Sequence, residues 1–232
     1  MKPEKLLSRL GLTGADLDRL SAAVAAAESR TTGEIALAAT GESADYSFRE
    51  LFAAVIFGAL VFALTLSLHS GISGLLDRLS WHLPAWYATA ACGILSFGAM
   101  GVFFFIANVP FVDRLVVPKG DRSRAVYRRA LRHFVESGVY STNEHTGILI
   151  FISLMEREVR ILADTGINVK IDQPVWNAMA DGIAAGVKEG KLAEALLASI
   201  ATCGDILEKN FPAKKDNPDE LANGLVLLGG GE

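Results

Sequence analysis

The chain has 232 residues, a formal net charge of −4 and 51% hydrophobic residues, with a mean hydropathy of +0.33. That balance is too apolar for an ordinary soluble domain, so a membrane segment is the first explanation it raises. Cys92 lies in an apolar run and Cys203 in a helical pattern, which argues against a disulfide framework and against a paired-cysteine metal site.

In chain order, Lys2 and Lys5 lead into a mixed polar segment with Arg9, Asp16, Asp18 and Arg19 instead of the apolar core of a signal peptide. Thr13 and Asp16 have the spacing of a capping box, and Leu17, Leu20, Val24 and Ala27 follow on one helical face. GEIALAA, residues 33–39, then reads as a strand with Ile35 and Leu37 on one side.

From residue 51 to 76, and again from 79 to 112, there is no Asp, Glu, Lys or Arg. Both runs exceed the roughly 20 residues that cross about 30 Å of hydrocarbon as a helix. The expected unit is a transmembrane hairpin with helices over about 52–68 and 85–107, joined by a loop carrying His69, Asp77, Arg78 and His82. Asn108 and Pro110 mark its exit, and Trp81, Trp86 and Tyr87 supply an interfacial cluster. Small residues at four-residue spacing, Ala59, Ala63 and Ser67 in one helix and Ala88, Cys92 and Ser96 in the other, offer seams for close packing.

Lys and Arg are scarce in the loop and plentiful outside both helices, so the positive-inside rule places both termini in the cytoplasm. Arg114, Lys119, Arg122, Arg124, Arg128, Arg129 and Arg132 crowd the segment after the second span. A helix over 121–136 carries Val126, Ala130, Leu131, Phe134 and Val135 on its apolar positions. Its Arg124, Arg128, Arg129 and Arg132 form a basic face suited to the surface of an anionic lipid bilayer. Without interleaved aromatics, this cluster does not suggest nucleic-acid binding.

TGILIFISL, residues 146–154, suits a central strand covered on both faces, and EVRILAD, 158–164, follows it through a turn short enough for a hairpin. Two helical patterns follow, one through Val175, Trp176, Met179, Ile183 and Val187 and one from Leu192 to Leu207, before a tail with a short apolar patch. A helix between the first two strands permits a parallel crossover, and two spans return the chain to the membrane side it left.

Four segments, in order, carry a family resemblance: AAAESRTTGEIALAA, HFVESGVYSTNEHTGILIFISLMEREVRILADTGI, WNAMADGIAAGVKEGKLAEALLASIATCGDILEKNFP and DELAN. Together they resemble the TPM domain, in particular a bacterial membrane-anchored subgroup with two transmembrane helices after the first strand. The resemblance implies an α/β (α+β) sandwich, a small mixed central sheet flanked by helices and split here by the hairpin. The chain then divides into 1–50, 51–112, 113–212 and a tail over 213–232. Family members are described as photosystem II repair and assembly factors, as a receptor auxiliary protein and as acid phosphatases, sometimes with a divalent cation. Asn168 stands where many of them have a second glycine.

No phosphate loop, HExxH or nucleophile elbow occurs in the sequence. The carboxylates near strand ends are the candidates for chemistry: Asp164 after the third strand, Asp172 before the next helix, and Glu144 with Asn143 and His145 before the second strand. Oxygen ligands of this kind suit Ca²⁺ or Mg²⁺, and such a cation could polarise a phosphoryl oxygen. Against that stands a capping role for Asp164 and Asp172. The leading expectation is a membrane-anchored interaction or assembly module with a membrane-protein partner, and the alternative is a metal-dependent phosphatase.

Overall fold

The computed structural model describes residues 2–79, 84, 86–107, 117–142, 144–214 and 220–230. Expectations at Trp81, His82, Asn108, Pro110, Arg114 and Asn143 fall outside the described residues. The chain forms two units, one of Met1–Asp45 with Gly120–Glu232 and one of Tyr46–Lys119.

The first unit opens with α1 (Pro3–Leu10) and α2 (Gly14–Glu28). α1 was not expected from the polar N-terminus. Leu6 and Leu10 share one of its faces and are buried, each contributing about 1.5–3 kcal/mol by leaving water. α2 begins with the expected capping box: the Asp16 amide donates to Thr13 Oγ1 at 3.2 Å, and the Thr13 amide donates to Asp16 Oδ2 at 2.9 Å.

The chain continues as β1 (Glu34–Thr40), α6 (Lys119–Glu136) and a 3₁₀ turn at Val139–Ser141. β2 (Gly147–Ser153), β3 (Glu158–Ala163) and the single-turn α7 (Thr165–Asn168) come next. α8 (Gln173–Glu189), α9 (Leu192–Asn210) and β4 (Leu225–Leu228) complete the unit.

The four-stranded sheet has the order β3-β2-β1-β4. β1 runs parallel to β2 with Glu34 opposite Gly147, and β3 runs antiparallel to β2 with Ala163 opposite Ile148. The crossover and the hairpin are both as expected. β4, parallel to β1 at the opposite edge from β3, is an addition to the expected three strands. Four apolar residues in a polar tail show too little periodicity to identify a strand, and only the free edge of β1 gives them a partner.

Alternation sorts the strands between two cores. Ile35, Leu37, Ile148, Ile150, Val159 and Ile161 face α1, α2, α8 and α9, where Trp176 and Ile183 are buried. Ala36, Ala38, Leu149 and Phe151 face α6 through Val126, Ala130 and Phe134. Leu131 and Val135, expected on the apolar face of α6, are exposed.

The second unit contains α3 (Ser47–Ser67), α4 (His69–Leu79) and α5 (Trp86–Ala107). α3 and α5 are each long and apolar enough to span a membrane. They pack on each other: the Phe57 and Phe103 rings stack with centroids 4.8 Å apart, and a Cβ on Gly58 would lie 3.0 Å from that of Met100. The α5 seam of Ala88, Cys92 and Ser96 is buried as expected.

The α3 seam differs. Ala59, Ala63 and Ser67 are exposed, while Ala54 and Gly58 are buried and the Thr65 carbonyl meets Cys92 Sγ at 3.6 Å. Four-residue spacing alone allows several seams, and contact with the partner helix selects one. The expected loop is largely helical. α4 places Ile72 and Leu75 three residues apart, a spacing that one helical face can use.

Candidate functional site

The registers bring the start of β1, the start of β2 and the end of β3 to one end of the sheet. Asp164, buried at 7% exposure, caps α7: its Oδ1 accepts from the Thr165 amide at 2.5 Å and from Thr165 Oγ1 at 3.1 Å. Its Oδ2 lies 3.2 Å from His145 Nδ1, and the same nitrogen lies 3.2 Å from the Tyr140 carbonyl. A carbonyl can only accept, so Nδ1 carries the proton in this arrangement. His145 itself sits at φ 54°, an uncommon backbone region for a residue with a side chain.

Gly166 makes this end possible. Its amide donates to the His145 carbonyl at 3.1 Å, and a Cβ there would come within 2.6 Å of that oxygen and 2.9 Å of the Glu144 carbonyl. Asn168 uses its amide to donate to the Ala163 carbonyl at 2.5 Å, so the side chain at that position closes the strand end instead of opening a glycine loop.

Glu144 is adjacent in the chain but turned to other partners. Its Oε2 accepts from Thr32 Oγ1 at 2.8 Å and its Oε1 accepts from Lys214 Nζ. Asp172 is exposed at the N-cap of α8, where its side chain makes no capping hydrogen bond among the described residues. Asp164 and His145 are thus brought together, while Glu144 answers Thr32 and Lys214, partners far away in sequence that local motifs do not indicate. Among the described residues no group of three or more His, Cys, Asp or Glu side chains is arranged to hold a metal ion. Each oxygen of Asp164 and of Glu144 accepts at least one hydrogen bond, so both carboxylates already have structural partners within the fold.

The second candidate is the basic helix α6. Arg124, Arg128 and Arg132 are exposed at four-residue spacing on one face, and Arg124 pairs with Asp121 at 3.6 Å. Arg129 is turned toward the tail, donating to the Gly229 carbonyl at 3.2 Å. Arg128, Arg129 and Arg132 line a recess of about 160 Å³ together with Ser43 and Ala44. That is below the roughly 300 Å³ at which pockets begin to enclose drug-sized ligands.

The order of strands and helices now has counterparts. Residues 109–206 match the model of the TPM domain family. The matched segment runs through α6, β2, β3, α7 and α8 into α9, and β1 with α1 and α2 completes the same sheet and core from outside it. Among solved structures the chain is similar to the BA42 protein from the psychrophilic bacterium Bizionia argentinensis. The TM-score is 0.53 at 18% identity, over 94% of this chain and 95% of that one. At that identity the likeness speaks to the fold. No curated protein matches the chain.

Proposed function

We propose that this chain is a membrane-tethered TPM-like module. It serves on the cytoplasmic side of a bacterial inner membrane as an interaction or assembly platform for a membrane-protein partner. The observation that carries the reading is where the apolar helices enter the fold. α3 begins seven residues after β1 ends at Thr40, inside the connection between two parallel neighbours of one sheet. In this reading α3 and α5 span the bilayer, both termini stay in the cytoplasm, and Arg124, Arg128 and Arg132 rest against anionic headgroups. The engaged oxygens of Asp164 and Glu144 favour a structural role for the carboxylates over metal-dependent phosphatase chemistry.

The test is photo-crosslinking in intact cells from exposed positions of the TPM-like unit, with the products identified by mass spectrometry. The expected result is one recurrent membrane protein that is lost when the hairpin is replaced by an unrelated pair of spans. Recovering nothing beyond that control would defeat the proposal. So would turnover of a phosphate ester with added Mg²⁺ or Ca²⁺ that Asp164→Ala abolishes while the fold is kept.

A further inference from the structure

Across the sheet from the Asp164 end, the β2–β3 turn opens onto a pocket of about 380 Å³. We infer that this pocket binds a small amphipathic organic anion, with Arg9, Arg157 and Lys188 holding the anionic head and an apolar floor holding the body. This site is distinct from the membrane-facing reading above and goes beyond it.

Three cations reach the pocket from three elements: Arg9 from the last turn of α1, Arg157 from the β2–β3 turn and Lys188 from the last turn of α8. All three are exposed, and none makes an ion pair among the described residues. The carboxylate on the wall, Glu158, forms its ion pair with Arg160 instead, through Oε1. It accepts from Arg160 Nε at 2.7 Å and from Ser123 Oγ at 2.9 Å. Like charges around one concavity repel, and an anion seated among them converts that repulsion into attraction.

The positions of Arg9 and Lys188 have an ordinary explanation, since cations favour helix C-termini. Arg157 has none of that kind. It stands at φ 54° in a turn where its amide donates to the Leu154 carbonyl at 3.3 Å, a conformation better suited to glycine or asparagine. A strained residue that presents an unpaired charge to a pocket is a reason to look for a ligand. The floor of Leu154, Val159 and Val187 sets the chemistry of the rest of it. A bare inorganic ion would leave that surface wet, whereas an apolar body would cover it. The volume falls in the roughly 300–1,000 Å³ range of small-molecule sites.

The test uses the full chain in zwitterionic nanodiscs and follows backbone amides by NMR. The probes are 1-naphthoate, the neutral 1-naphthalenemethanol, and acetate as a head without a body. The expected result is saturable shifts at Leu154, Val159 and Lys188 with naphthoate, weakened about tenfold for each of the other two probes and for Arg157→Gln and Lys188→Gln. Both substituted side chains are exposed, and unchanged amides elsewhere report an intact fold. Equal shifts with the neutral alcohol, no shifts with naphthoate at millimolar concentration, or undiminished binding in both variants would each overturn the inference.

Discussion

At Gly166 two main-chain carbonyls occupy the space a side chain would need. Those oxygens belong to the loop that enters β2, so neither can move without disturbing the sheet. Gly166→Ala is expected to destabilise the fold by about 1–3 kcal/mol, the usual range for overpacking, as read from denaturant unfolding. Gly182 supplies the control. Among the described residues nothing lies within 4 Å of its would-be Cβ inside α8, so alanine there should stabilise by about 0.5–1 kcal/mol. Equal effects at the two positions would contradict the packing argument.

His133 gives a pH dependence. Burial first, then the neighbouring Arg129, lowers its pKa from the ordinary 6.5, against an opposing pull from Glu136. The unfolded chain therefore takes up a proton before the native one does, and stability falls as pH drops below about 6.5 until the native pKa is passed. His133→Gln should flatten the urea-midpoint profile over that window. An unchanged slope would remove His133 from the acid response.

Among the elements, α6 has two faces with separate duties. Val126, Ala130 and Phe134 hold it to the sheet, while Arg124, Arg128 and Arg132 are exposed. Each cation near an anionic surface contributes about 1 kcal/mol. Replacing the three with Gln should therefore weaken binding of the detached TPM-like unit to phosphatidylglycerol vesicles by about a hundredfold in cosedimentation. Binding that is indifferent to lipid charge would leave these arginines as a solvated face.

α6 was legible because its charges and apolar residues follow a helical period. The α3 seam was not, because small residues recur on several faces of an apolar helix and only α5 distinguishes Gly58 from Ala59. α4, expected as the loop of the hairpin, was less legible because Gly71 and Gly74 interrupt a short segment of low helix propensity.

On the scale of the molecule, β1 and β2 are sequence-distant neighbours whose connection holds the whole 46–119 unit. The first unit has its own two cores on either side of the sheet. Replacing 46–119 with a flexible Gly/Ser linker should therefore give a soluble domain with a cooperative thermal transition. α6 remains to complete the parallel crossover. An aggregated or non-cooperative product would show that the helices contribute to the fold of the sheet domain.

The two apolar segments, the three principal strands, the parallel crossover from β1 to β2 and the β2–β3 hairpin are all legible in the sequence. These follow from charge exclusion, periodicity and turn length, all properties of neighbouring residues. Tertiary structure alone decided that a four-residue tail segment becomes β4, that Glu144 answers Thr32 and Lys214, and that Arg9, Arg157 and Lys188 share one pocket. Each of these joins residues far apart in the chain, and a partner chosen by packing leaves no trace in local pattern. Asp164 shows both sides: its return to the sheet end where Glu144 and His145 precede β2 was legible from the hairpin, while the choice of His145 as its partner there depended on the register that brings Ala163 opposite Ile148.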